Sequence, residues 1–565
     1  MSVLRAVAAG VLLSWTAGAW AADPASAAYD ATGETRGSPH RGGTLRLTAD
    51  GSAGTLDPQI NYNTQYMQLF SCVYDQLVTY RKARGRDGDT IVPDLVEALP
   101  TVSPDGLTWT MRLRPNVLFS DGRTLRAQDV VASFRRIFKV GSPTAKTYYG
   151  AIAGADACLD HPGTCTLPGV EGDDATGAIT IRLSRPDGEF LQKLSFPHAT
   201  ILPADTPTHD LGNTPAPTTG PYRIVSYDPN AGMMLDRNPH FHVFSAHAQP
   251  DGFVDAIDYR FGLSDEAQVS AVERGVFDWM LDPKPADRLG ELGAEHTAQT
   301  HIERLFGMYY LSMNMHEKPF TSALVRQAVN DAVDRHVMTI LAGGGAIADP
   351  LCQMVPAGLP GSDAPCFYGR DASLEHPRAA WAGPDMARAR GLIARSGEAG
   401  AHITLVVSNR ASELNMGVYI RNLLQSLGFV VDVRPVSEAL VLSYTQNSGN
   451  HIQISLARWF ADYPSASNFL DDLFGCENFV PNSDASVNSS GFCDAHAQDL
   501  MTRASLEHDP ARSAALWADA NAAIMRAAPA APLIQMHLVD LVSARLGNYF
   551  YTDLYHMLFS GVWVQ

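Results

Sequence analysis

Apolar and polar positions first alternate with period two at Gly43-Thr44-Leu45-Arg46-Leu47, which predicts a half-buried strand and sets the start of regular structure. Trp109, Met111 and Leu113 alternate with Thr110, Arg112 and Arg114 in a second such strand, ended by Pro115. After the Asp121-Gly122 turn and Asp129, Val130, Val131, Phe134, Ile137 and Phe138 recur at helical spacing. Ile179, Ile181 and Leu183 alternate again as a strand. The Pro-, Thr- and Asp-rich stretch from Pro203 to Pro221 marks a boundary or surface loop. Tyr222 to Val225 and Met233 to Leu235 read as paired strands around Asp228-Pro229-Asn230. One amphipathic helix is predicted from about Ala323 to Leu341, with Val325, Ala328, Val329, Ala332 and Ile340 on one face and Gly343-Gly344-Gly345 as its stop. Further on, the strand Ile403 to Val407, a helix through Tyr419 to Leu427 and the strand Phe429 to Val433 follow in an order that defines an α/β unit.

The first residues carry a different pattern. Arg5, the apolar run Ala6 to Ala19 and the Ala19-Trp20-Ala21 site form a secretory signal peptide over residues 1–21, too short to be a spanning helix. No cysteine lies near the cleavage site, so lipid anchoring is not expected. Residues 22–42 lack apolar periodicity and read as a flexible leader. Without the signal, 41 basic residues face 60 acidic ones, which argues against nucleic acid or anionic lipid as a partner. A mature chain of about 540 residues exceeds one core, so two or three domains are expected. Three of the cysteine spacings are short: Cys158 with Cys165, Cys352 with Cys366, and Cys476 with Cys493. In an oxidising compartment these read as three local disulfides, with Cys72 left as a buried thiol.

Composition offers little catalytic chemistry. The sequence has no G-x-S-x-G, no H-E-x-x-H and no P-loop, and no cofactor motif is recognised. His240, His242 and His247 follow a turn and are interleaved with Phe241 and Phe244, which favours packing over metal ligation. Asp471-Asp472 reads as a solvated pair or turn. The most informative stretch runs from Trp459 to Leu470. There Asp462 sits among Trp459, Phe460 and Tyr463, in surroundings where a carboxylate is expensive unless a cation meets it. The next basic residues along the chain are Arg458 and Arg503. Its partner is therefore Arg458, a distant basic residue, backbone donors at the turn, or a ligand's amine.

Several motifs, in order, resemble one family. Leu56-Asp57-Pro58 with Val73 to Leu77, Phe119 to Leu125 with Asp129-Val130, Thr219-Gly220-Pro221-Tyr222 with Arg237-Asn238-Pro239, Lys318-Pro319-Phe320 with Val325-Arg326-Gln327-Ala328 and Asp334-Arg335, and Asn488 to Phe492 are similar to segments of the extracytoplasmic solute-binding proteins of ABC importers, oligopeptide and dipeptide group. The resemblance implies an α/β, two-lobed periplasmic-binding-protein fold with a hinge and an inserted domain. One lobe comprises residues 43–75, 200–305 and 536–565, the insertion residues 76–199, and the second lobe residues 306–535. It implies a monomeric periplasmic receptor, not an enzyme, that captures short peptides between its lobes and passes them to permease subunits in the inner membrane. In such relatives an aspartate in the segment matched by Ala461-Asp462-Tyr463 holds the peptide's ammonium group, and a stretch matched by Asn63, Thr64, Gln65 and Tyr66 borders the ligand. Trp459, Phe460 and Tyr463 are the candidate pocket aromatics. Arg458, where relatives often have a small residue, either meets a ligand carboxylate, pairs with Asp462, or reaches solvent. The same motifs occur in members that bind sugars, opines or metal chelates. A secreted hydrolase with dispersed catalytic groups is the alternative from another class.

Overall fold

A computed structural model describes residues 33–281, 288–438, 440–507 and 509–565. The expected signal peptide and residues 22–32 of the expected leader lie outside the described residues. For residues 33–42 the flexible reading is corrected: Thr35 is buried and donates to Asp251 at 2.8 Å, and Arg41 pairs with the same carboxylate. These polar tethers leave no trace in an apolar-periodicity pattern.

Three principal sheets organise the chain. A five-stranded sheet has the order Trp279–Met280, Thr44–Ala49, Ala256–Phe261, Gly232–Arg237, Tyr222–Asp228. A six-stranded sheet has the order Ala348–Pro350, Ala530–Leu541, Thr300–Met313, Ile454–Phe460, His402–Ser408, Val430–Val436. The third is antiparallel, with four strands: Thr101–Val102, Thr108–Arg112, Ala178–Arg182 and Val170–Asp173. The strands predicted at Gly43, Trp109, Ile179, Tyr222, Met233, Ile403 and Phe429 all lie in these sheets, with small shifts of boundary.

The long strands Thr300–Met313 and Ala530–Leu541 pair from Thr300↔Leu541 to Ser312↔Ala530, interrupted by register shifts between Arg304 and Met308 and between Tyr309 and Tyr310. At their far end a bridge from Trp279 to Val542 ties them to the five-stranded sheet. They are thus a two-stranded connection between the lobes. The five-stranded sheet and the four-stranded one share a single apolar core, to which Tyr463 is added from the chain of the other lobe. The six-stranded sheet has a core on each face: Tyr309, Leu311, Leu405 and Leu456 on one, and Met308, Tyr310, Trp459 and Phe469 on the other.

One predicted helix is two. Ala323–Ala332 and Arg335–Ala342 are separated at Val333, and the Asp334 carboxylate caps the second by accepting from His336 N (3.0 Å) and Val337 N (3.3 Å). The break turns Ile340 outward, 71% exposed, instead of onto the shared face. Gly343 ends the second helix at φ 121°, a conformation open to glycine.

Many of the family-like motifs hold this framework together. Asp57 forms a buried pair with Arg136 of the helix Ala127–Lys139, fastening the first lobe to the inserted layer. Thr219 donates to Asp75 at 2.6 Å, and Asn238 donates to Gly220 O at 2.9 Å. Gly220 is required there, since a Cβ would come within 2.7 Å of Val73 O. Cysteines pair as Cys158–Cys165, Cys352–Cys366 and Cys476–Cys493, while Cys72 is a buried free thiol whose pKa burial pushes up to about 12.

Candidate functional site

The strand Ile454–Phe460 runs antiparallel to Thr300–Met313, with Arg458 opposite Tyr309 and Phe460 opposite Gly307. On its other side it pairs with His402–Ser408 only at Ile454 and Ser455. From Leu456 to Phe460 that edge carries no ladder among the described residues. Gly307 is where it is because of Phe460: a Cβ there would lie 2.5 Å from the ring. After Ala461, whose amide donates to Phe306 O at 2.8 Å, the chain turns at Asp462 into the helix Ser467–Phe474.

Asn468 fixes this turn. Its Oδ1 accepts from Asp462 N at 2.8 Å and from Trp459 Nε1 at 3.3 Å, while its Nδ2 donates to Asp472 Oδ2 at 2.7 Å and to the Tyr148 hydroxyl (Oη) at 3.2 Å. The Asp462 carboxylate is partly buried and accepts from two hydroxyls, those of Tyr62 and Tyr148. Tyr62 belongs to the segment before the helix Thr64–Phe70; Tyr148 lies in the expected insertion. Three separate parts of the chain therefore meet at one carboxylate, and its described contacts include no cation. Loss of water pushes the Asp462 pKa up to about 6, against the opposing pull of the Tyr148, Tyr62 and Asn468 hydrogen bonds. Burial and the nearby Asp462 raise both tyrosine hydroxyls well above their ordinary value.

The neighbouring turn is held by a second carboxylate. Glu189 accepts from the Tyr463 hydroxyl (Oη) at 3.3 Å and from the hydroxyls of Ser465 and Ser467. Tyr463 also packs edge-on against Tyr148, with ring centroids 5.8 Å apart. Gly188, beside Glu189, lies so near Ser505 O that a Cβ would sit 1.7 Å from it.

The sequence-nominated residues separate into groups. Asp462, Phe460 and Arg458 line the open end of the strand. Arg458 does not pair with Asp462; it pairs with Glu413 at 3.1 Å and with Glu438, and lies 5.9 Å from the Phe460 ring centre. Asn63 and Thr64 are exposed at the start of the helix Thr64–Phe70, where Asn63 caps Gln65 N. Tyr66, Gln65, Trp459 and Tyr463 are engaged elsewhere. Tyr66 is buried and bonds Tyr227 at 3.0 Å, Gln65 donates to Gly51 O at 3.1 Å, Trp459 lies in the core with Met308, and Tyr463 turns to Glu189. Strand alternation explains Trp459, since it points to the face opposite Arg458. Asp471-Asp472 is also corrected: both lie within a helix, Asp472 is buried, and its pKa is raised well above the ordinary range by burial and by Asp471 and Asp462. Tyr62, Tyr148 and Glu189 escaped sequence reasoning. Tyr62 directly precedes the matched stretch at Asn63, the nearest thing to a signal.

Tyr62, Tyr148 and the turn before Ser467–Phe474 thus converge on one carboxylate. The model of the bacterial extracellular solute-binding proteins, family 5, matches residues 90–480, and the chain belongs to that family. Di/tripeptide-binding protein 1 of Pseudomonas aeruginosa (strain UCBPP-PA14) is 25% identical over 517 residues, covering 86% of this chain and 88% of that protein. Among solved structures, clavulanic acid biosynthesis oligopeptide binding protein 2 superposes with a TM-score of 0.81 at 23% identity, covering 93% of this chain and 96% of that one. The periplasmic binding protein DppA from Helicobacter pylori in complex with peptide STSA gives 0.75 at 21% identity, over 93% and 98%. These structures share the fold. No helix among the described residues is long and apolar enough to cross a membrane.

Proposed function

We propose that this protein is the periplasmic receptor of an ABC importer, exported by a cleaved signal peptide, which captures short peptides between its lobes and delivers them to permease subunits in the inner membrane. The observation that carries the reading is Asp462: a carboxylate made costly by burial, unpaired with any described cation, at the end of a strand whose outer edge is open from Leu456. An ammonium group supplies the missing charge, and an extended backbone supplies partners for the open edge. The family relatives named for di- and tripeptides support the ligand class. Phe460, Asn63 and Thr64 border the bound chain, and the amine displaces a tyrosine hydroxyl from Asp462. The Glu189 contacts to Ser465 and Ser467 of the second lobe stay in place when the ligand fills the cleft and favour closure. On this reading residues 43–75, 200–305 and 536–565 form one lobe, 76–199 the insertion and 306–535 the other, and the receptor works as a monomer.

Native mass spectrometry of protein purified from its own periplasm, followed by ligand identification, tests the class. Peptide masses in the cleft support the proposal; a sugar, opine or metal chelate in their place overturns it. Asp462→Ala is expected to weaken peptide binding by about 2–5 kcal/mol, the range for truncating one member of a buried charge pair. Unchanged affinity by calorimetry removes Asp462 from the site.

A further inference from the structure

A cavity of about 120 Å³ lies between the helix Ala127–Lys139 and the loop from Leu202 to Thr208. None of the residues that contact Asp462 lines it. Arg135, Arg136 and Lys139 face it from the helix, and Thr206 and Thr208 from the loop. Among the described residues no carboxylate lines it, in a chain with 60 acidic and 42 basic residues.

The three basic side chains differ in what they already hold. Arg136 is saturated. Its Nε donates to Pro207 O at 2.6 Å, and its Nη1 to Asp57 Oδ1 at 3.0 Å and Gln59 Oε1 at 2.9 Å. Its Nη2 donates to the other Asp57 oxygen and to His209 O at 3.0 Å. Arg136 is thus the floor of the cavity, and by drawing in the carbonyls of Pro207 and His209 it fixes Thr208 between them. Arg135 makes one bond among the described residues, from Nε to Thr166 O at 3.1 Å, which leaves both Nη groups free. Thr166 adjoins the Cys158–Cys165 disulfide, so the acceptor that aims this guanidinium is itself held. Lys139 Nζ and the hydroxyls of Thr206 and Thr208 have no partner among the described residues. Arg135 and Lys139 stand four positions apart, where like charges on a helix repel. The helix C-terminus favours cations in its last turn, but that accounts neither for the cavity nor for the two hydroxyls that share it.

We propose that this cavity is a binding site for a phosphoryl group, separate from the site at Asp462. Near neutral pH such a group carries about two negative charges, which match the two free cations. The Arg135 fork takes two of its oxygens side by side, and Lys139 meets it as a point charge. Thr206 and Thr208 donate from the opposite wall. A tetrahedral set of oxygens reaches donors on both walls at once, whereas a planar carboxylate reaches only part of them. The bound group ties the helix Ala127–Lys139 to the loop and removes the repulsion between Arg135 and Lys139. Its source is inorganic phosphate or a small phosphate monoester, whose substituent leaves past the exposed Thr208. The inference does not depend on the ammonium reading of Asp462.

The test is calorimetric titration of ligand-free protein, at constant ionic strength in phosphate-free buffer, with inorganic phosphate, glycerol 3-phosphate and acetate. Wild type binds phosphate saturably at one site and acetate at least about tenfold more weakly. Arg135→Gln and Lys139→Gln each weaken phosphate binding by about tenfold, and unchanged far-UV circular dichroism shows that both variants are folded. Thr208→Val leaves both cations in place and still weakens phosphate binding severalfold, so the proposal stays testable if a charge variant fails to fold. Glycerol 3-phosphate that binds at least as tightly as inorganic phosphate identifies an ester as the source; weaker binding identifies the free ion. Three results overturn the proposal and leave the Asp462 reading standing: no saturable phosphate binding at millimolar concentration, acetate bound as tightly as phosphate, or phosphate binding unchanged when Arg135 and Lys139 are both replaced.

Discussion

Asp462→Asn separates what the carboxylate does to the empty protein from what it does for a ligand. Burial raises the Asp462 pKa from 3.8 to about 6, so the charged form is disfavoured in the folded, unliganded protein by roughly 3 kcal/mol. The sign follows from linkage. A carboxyl group whose folded pKa is above its unfolded value contributes stability below pH 4 and loses it as pH rises through 6. Asparagine cannot ionise, and its side-chain oxygen still accepts from Tyr62 or Tyr148. The variant is therefore as stable as wild type near pH 4 and more stable by up to about 3 kcal/mol near pH 7.5. Thermal unfolding of ligand-free protein across this range measures the difference, and saturating peptide removes it by stabilising wild type alone. A variant that is less stable than wild type at pH 7.5, or a difference that does not change with pH, refutes the argument that Asp462 is held at electrostatic cost.

Other parts of the structure make separate predictions. Glu189→Gln removes an anionic acceptor shared by Tyr463, Ser465 and Ser467; a loss of about 1–3 kcal/mol and a larger radius of gyration by small-angle X-ray scattering are expected, whereas unchanged scattering and stability contradict its bridging role. Arg136→Met strands the buried Asp57 carboxylate, and urea unfolding is expected to show a loss of about 3–5 kcal/mol, against no shift if the pair is dispensable. Replacing both Cys476 and Cys493 by serine opens a loop of sequence separation 17 and lowers stability by about 3 kcal/mol, measured under the same denaturant.

The sheet elements were legible because strand alternation and helix spacing are local and each lobe buries its own faces. The helix break at Val333 was not, since Asp334 acts through its cap and not through apolar spacing. Asp462 stood out from its immediate neighbours alone. What surrounds it did not: Tyr62 and Tyr148 lie 400 and 314 positions away, and Glu413 and Glu438 reach Arg458 only through strand order. Asp472 read as solvated because adjacent carboxylates usually are, yet Asn468 one helical turn earlier supplies its buried partner at 2.7 Å. Cleft chemistry assembled from distant segments leaves no spacing for a sequence to display.

The account stands most directly on the ammonium at Asp462. Titrating ligand-free protein at pH 7.5 with Ala-Ala-Ala and with its N-acetylated form measures it. The account predicts that the free amine binds and that acetylation weakens binding by at least about thirtyfold. Equal affinity for the two forms contradicts it.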